Sequence, residues 1–372
     1  MGYGRKIFNW IVLSALALAL VLALPVRAHA HGEGGDVIVK DIVLEHIGDS
    51  YEWHIGKFVG KHVAIPLPVI VCSRENGWKC FSSSHLHGGH SYEGFHIATE
   101  GAYAGKVVET LPDGSQVRPW DLSITKTVAG LLINSTIVVL LILGAARHYR
   151  KRRITDSAPM GLAGLVEMLV ESLVDGIIKP CVGPNYRKFA PYLLTAFTFI
   201  FINNIMGIIP IFPAGTNITG NIAATFVLAM ATFLVTNLFG TRHYWKEVLW
   251  PEVPTWLKVP LPIMPAIEII GLFTKPFALM IRLFANIMAG HSVILILICI
   301  VFVTARMGAT VNTSMSIVSI LLGIFMNCME LLVAFLQAYV FTMLSSVFIG
   351  MAQEGAGHHE KKNDIDNLTT KR

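Results

Sequence analysis

Of the chain's 372 residues, 53% are hydrophobic and only 14% charged, and the formal net charge is +5. A soluble globular domain carries about 25% charged residues, so composition excludes one and leaves a polytopic membrane protein. The basic residues cluster, at HYRKRR (148–153) and at Lys361 and Lys362. That pattern speaks to topology, since a nucleic-acid footprint needs a broad basic face on a soluble module.

The first 30 residues, MGYGRKIFNWIVLSALALALVLALPVRAHA, place Arg5 and Lys6 before an apolar core and end on Ala28-His29-Ala30. Basic region, apolar core and small-residue site are the grammar of a cleaved secretory signal. An uncleaved first membrane helix is the alternative. Residues 31–122 then form an exported, periplasmic segment. VIVKDIVLEHI and HVAIPLPVIVC read as strands, rich in β-branched residues with breakers between them. Cys72 and Cys80 lie in this segment, where an oxidising compartment would permit a disulfide. SSSHLHGGHSYEGFH brings His85, His87, His90 and His96 close in sequence. It reads either as a metal site or as a solvated loop, and the pattern of supporting carboxylates that accompanies metal-binding histidines is missing. Cys181, Cys299 and Cys328 sit in or beside apolar segments and read as small hydrophobes.

The first span after the leader runs from about Ile124 to Ala146, followed at once by the basic cluster. Positive residues stay in the cytoplasm, so this helix runs from outside to inside. In MGLAGLVEMLVESLVDGII (160–178), Leu162, Leu165, Val166, Leu169 and Leu173 keep helical spacing while Glu167, Glu171 and Asp175 form an acidic stripe. That is an amphipathic helix for the cytoplasmic membrane face or a partner, not a span. Spans follow at 189–210 and 220–240, with an uncharged loop between them and RHYWKE after the second. Two long segments end the membrane part, Pro265–Thr304 and Ser314–Met351. At about 1.5 Å per residue they reach roughly 60 and 57 Å, about twice the 30 Å of a bilayer's hydrocarbon, so they must tilt, bend or break.

The resulting fold class is an all-α polytopic membrane protein. It has five transmembrane helices after the leader, one amphipathic cytoplasmic-face helix, and a small exported segment with some strand. Its parts are a signal at 1–30, an exported segment at 31–122, a membrane domain at 123–352 and a polar cytoplasmic tail at 353–372. No internal repeat is visible, which counts against a two-halves transporter. No H-E-x-x-H pattern is present, which counts against a metalloprotease.

The long pair carries few polar residues: Glu268, Lys275, Arg282, Asn286 and His291 on the first, Asn327, Glu330 and Gln337 on the second. Arg282 stands mid-span, where a charge costs roughly 2.5 to 17 kcal/mol. Asn286, four residues on, shares its face, which Ala278, Ala285 and Ala289 flank. Small side chains admit another helix closely. His291 points to the opposite side, while Glu330 and Gln337 share a face. If the helices are antiparallel with Gln337 at the depth of Arg282, His291 and Glu330 fall within about 3 Å of a common depth. Glu268 lies about 21 Å from Arg282 toward the cytoplasm. Such a layout makes two proton paths that do not meet, an outer one at His291 and Glu330 and an inner one near Glu268. Arg282 stands between them, suited to it because arginine does not deprotonate. For Asn327 and Lys275 the plainer reading is polar contact inside the bundle.

These residues resemble subunit a of the F-type ATP synthases. RLFANIMAGH (282–291) is similar to the signature around that family's essential arginine, and ELLVAFLQAYVF (330–341) to the matching stretch of its last helix, with Gln337 as the family glutamine. Glu268, Lys275 and Pro276 match the upstream pattern, and FINNIMGIIP (201–210) places Asn204 at the family asparagine. The resemblance spans about residues 120–352. Some members carry the acid and histidine of the outer pair in exchanged places, and some have an acid where Gly207 stands, so the outer path here leans on Asn203, Asn204 and water. The resemblance implies a c-subunit ring with a membrane carboxylate, a b-subunit peripheral stalk and the remaining synthase subunits as partners, in the bacterial inner membrane. It implies Arg282 facing the ring and coupling proton flow to rotation, with no cofactor or metal. No phosphate-binding G-x-x-x-x-G-K-[ST] loop occurs, so ATP is made on other chains. The exported segment lies outside the resemblance, and its role is open.

Overall fold

A computed structural model describes residues 48–58, 61–73, 77–98, 103–111, 115–150, 161–209, 215–249 and 263–353. The signal at 1–30, the strand-like VIVKDIVLEHI and the tail beyond Gln353 lie outside the described residues.

Two prolines help set the strands of the N-terminal domain. Proline has no N–H for a ladder and sits at strand ends. β2 (Lys61–Pro66) accordingly stops on Pro66 and β3 (Pro68–Ser73) starts on Pro68. β2 pairs antiparallel with β1 (Glu52–Phe58). β3 is the centre of a sheet with β4 (Gly77–Ser82) on one side and β8 (Trp120–Asp121) on the other. β5 (Phe95–Ile97), β6 (Val107–Thr110) and β7 (Gln116–Val117) form a third sheet. β3 alternates in and out, so Val69 and Val71 join Tyr51, Leu86, Phe95 and Val107 in a small core.

Cys72 and Cys80 are both free thiols. The register explains it: Cys72 lies opposite Trp78, and Cys80 opposite Ile70. The cysteines are thus diagonal neighbours on one face, about 7–8 Å apart in such a ladder, whereas a disulfide needs Cβ atoms about 4 Å apart.

The domain is fastened to the first membrane helix, α1 (Lys126–Arg150). The first N–H groups of a helix have no partner within it. Here the Lys126 amide donates to the Ser50 carbonyl at 2.8 Å. The Thr127 amide and hydroxyl both donate to Oδ1 of Asp49, at 3.0 and 2.8 Å.

α2 (Leu162–Leu173) carries the acidic stripe outward, with Glu167, Glu171 and Asp175 exposed and Leu173 and Ile177 in the bundle core. Leu165, expected on the apolar face, is 52% exposed. Hydrocarbon can cover such a residue in place of protein. Nor does the amphipathic segment end as a separate element. A π-turn over Val174–Ile178, an α-turn over Lys179–Val182 and a 3-10 turn over Gly183–Asn185 lead directly into α3 (Tyr186–Ile208). α4 (Ile222–Leu238) then bends by 104° into the short α5 (Arg242–Leu249).

α6 (Ile263–Thr304) and α7 (Ala309–Gln353), of 42 and 45 residues, are the long pair, α7 beginning five residues before its expected start at Ser314. Among the described residues four helical runs are long and apolar enough to cross a membrane, five if α4 with α5 is one span. The protein is therefore a mostly helical multi-pass membrane protein. Its core sits where α3, α4, α6 and α7 converge, around Phe197, Ile200, Ala229, Leu279, Leu283, Ala338 and Phe341.

Candidate functional site

α6 sorts its residues by face. Leu279, Leu283 and Ile287, at four-residue intervals, are buried in the bundle. Ala278, Arg282, Ala285, Asn286 and Ala289 occupy an exposed side. Among the described residues Arg282 has neither a hydrogen bond nor an ion pair. A guanidinium has five donors to satisfy, and nothing in its own helix bundle does so.

His291, on the other side of α6, meets Glu330 of α7. Nδ1 of His291 stands 2.5 Å from Oε1 of Glu330, with the two side chains 17% and 3% exposed. Gly290 gives the carboxylate room: a Cβ there would come within 3.3 Å of that same oxygen. A buried acid beside a base can share one proton and avoid the cost of an isolated charge. Gln337, two turns along α7 from Glu330, is also buried.

The other ring nitrogen of His291 faces α3. Nε2 is 3.7 Å from where a Cβ would stand on Gly207, as is the carbonyl oxygen of Thr216. Asn204, one turn earlier, is a buried clamp. Its Nδ2 donates to the Ala334 carbonyl of α7 at 3.1 Å, and its Oδ1 accepts from the Thr219 hydroxyl at 2.7 Å. It thereby ties the α3–α4 connection to α7. Asn203 accepts at Oδ1 from Nδ2 of Asn134 in α1, at 3.0 Å. Sequence reasoning missed Asn134. Its signal was faint: a small residue, Gly130, and an amide four positions later, on one face of an otherwise apolar helix.

At the other end of α6, Lys275 and Pro276 line a small cavity with Thr236, Asn237, Tyr244 and Phe348. Lys275 lies with Nζ 5.8 Å from the Phe348 ring centre. Glu268 is near enough to Tyr244 for its charge to act on the phenol. Asn327 is exposed and donates to the Gly323 carbonyl of its own helix at 2.8 Å, so it is not the interior polar contact expected of it.

Of the N-terminal domain's histidines, His85 and His96 have separate partners. His85 stacks on Tyr92 with ring centres 4.6 Å apart, and His96 lies between Thr110 and Gln116, at 3.2 and 3.4 Å. Among the described residues no group of three metal-ligating side chains occurs.

The site is thus a multi-pass helical bundle with a buried ionisable pair and an exposed arginine that has no partner among the described residues. The ATP synthase A chain family matches residues 131–350, more than half of the protein. Similar proteins are called ATP synthase subunit a or subunit a 2. Those from Chlorobaculum tepidum (41% identical over 66% of this chain and 67% of its own), Prosthecochloris aestuarii (38%, over 74% and 85%) and Anaeromyxobacter sp. (32%, over 88% and 74%) are examples. The chain belongs to the ATP synthase subunit a family, the stator proton-channel subunits of the Fo sector, and so to an ATP synthase complex. The strand domain matches a different family, a domain of unknown function (DUF8433), over residues 42–122.

Proposed function

We propose that this chain carries protons through two offset half-channels and that Arg282 separates them. The observation that carries the reading is Arg282 itself: exposed on a span, flanked by alanines, and without an internal partner among the described residues. A charge in that position needs an external counter-group, and the carboxylates of a turning c-ring supply one. Arginine pushes each arriving carboxylate to ionise and cannot itself carry the proton onward.

His291 and Glu330 form the outer entrance, with Asn204 shaping its wall and Gln337 leading inward. Asn286 shares the ring-facing side with Arg282, and Glu268 lies on the inner path. The membrane potential supplies about 2.3 kcal/mol per charge per 100 mV. The strand domain is periplasmic after removal of residues 1–30, the C-terminus is cytoplasmic, and the membrane is a bacterial inner membrane. A b-subunit stalk holds the stator.

The deciding experiment is Arg282→Ala in inverted vesicles. ATP-driven proton pumping is expected to vanish while the soluble sector still hydrolyses ATP. Undiminished coupled pumping would end the proposal.

A further inference from the structure

α1 has no assigned part in proton movement, yet it carries a fully buried amide. Asn134 is 0% exposed. Its Nδ2 is spent on Asn203, but its Oδ1 has no hydrogen-bond partner among the described residues. Oγ1 of Thr216, also buried, shares that condition. Native proteins leave few such atoms without a partner, and ordered water is the usual one.

Gly130 and Asn134, four residues apart, lie on one face of α1. One turn before Asn134, Gly130 lets α1 close on the α3–α4 connection: a Cβ at Gly130 would fall 2.3 Å from the Thr216 hydroxyl oxygen. The backbone carbonyl of that same Thr216 and Nε2 of His291 each lie 3.7 Å from where a Cβ would stand on Gly207. Asn203 and Gly207, four residues apart on α3, lie on one face of their helix. A polar line therefore runs from Asn134 through Asn203 and Thr216 to the His291–Glu330 pair.

We infer that Asn134 belongs to the outer proton entrance, holding with Asn203 and Thr216 a file of water molecules that delivers protons to His291. This rests on the half-channel reading above. Asn134 is a positioning residue: it orients water and takes no proton itself. The inference makes α1 a wall of the channel, and not merely an anchor. It also accounts for a member without an acid at position 207, because neutral amides from α1 and α3 provide the polar lining there.

The test uses the whole synthase in vesicles, with ATP synthesis driven by an imposed gradient. Outer pH is varied at fixed inner pH, then the reverse. Asn134→Leu is expected to slow synthesis about five-fold when outer protons limit, the equivalent of roughly 1 kcal/mol of barrier. The half-saturating outer pH should fall, the dependence on inner pH should stay as it was, and Asn134→Gln should recover most of the rate. An unchanged rate, or an equal loss at every outer pH, overturns the inference.

Asn134→Cys, in a chain whose five native cysteines are replaced by serine or alanine, gives an arm that does not need activity. A membrane-impermeant methanethiosulfonate added outside should modify it, and an assembled but unmodified protein overturns the inference. Should Asn134→Leu fail to assemble, this arm decides alone. Arg282→Ala run alongside separates the two claims. If that variant still couples, the half-channel reading falls as well. If it does not couple while the Asn134 variants behave as wild type, only the role of Asn134 falls.

Discussion

α6 keeps two ionisable side chains nine residues apart by opposite means. His291 is met by Glu330 inside the bundle, at 2.5 Å and largely out of solvent. Arg282 is turned outward among alanines, with no partner among the described residues. The first is a charge problem solved within the chain; the second, on the function proposed above, is solved by another molecule. The difference teaches where to look for moving parts. A paired group can exchange a proton with its neighbour without disturbing the fold, and an unpaired one can meet a group from another molecule.

The contrast can be broken by stability measurements on the purified chain. Glu330→Ala strips His291 of its partner in a buried site, and thermal unfolding in detergent should report a loss of about 1–3 kcal/mol. Arg282→Ala removes a charge with no partner among the described residues, and should stay within about 0.5 kcal/mol of wild type. An equal loss in both would erase the distinction. Exchanging the pair sharpens the comparison. His291→Glu combined with Glu330→His should conduct more protons than either single change, since the two helices still present one acid and one base. Equal loss in all three would show that the contact is not a unit.

The smallest effect is expected far from the bilayer, at Asp121. Burial alone would raise its carboxyl, but hydrogen bonds from Ser123 and Tyr51 overcome that and hold it below the ordinary carboxylate value. A depressed carboxyl binds its proton less well folded than unfolded. Its stabilisation is complete above the unfolded value of about 3.9 and is lost as pH falls through the folded one. The fluorescence of Trp120 should follow a melting temperature that drops below about pH 4, and Asp121→Asn should flatten that drop.

Much of the bundle was legible because helical arithmetic is local. Spacing alone put Arg282 with Asn286 and sent His291 to the other side, and common depth brought Glu330 to His291. What escaped lay between helices or in their joints. Asn134 looked like one more polar residue in ITKTVAGLLINSTIVVLL, since its partner Asn203 belongs to a helix that the chain reaches only later. The continuity of α2 into α3 was hidden because it depends on the chain passing Gly183 and Pro184 in a single tight turn. The pairing of Cys72 with Trp78 instead of Cys80 depended on a hairpin register that the intervening residues do not reveal.

The Asp49 cap on α1 bears on the order of assembly. The residues that seal the first turn of α1 precede it by more than 70 positions, and the whole strand domain lies between. The helix end is completed by residues from the far side of that domain. A chain truncated to begin at α1 would enter the membrane with bare amides at its leading turn. Such a truncation is expected to be cleared by proteolysis before any stator forms, and pulse-labelling of the truncated chain would show its loss.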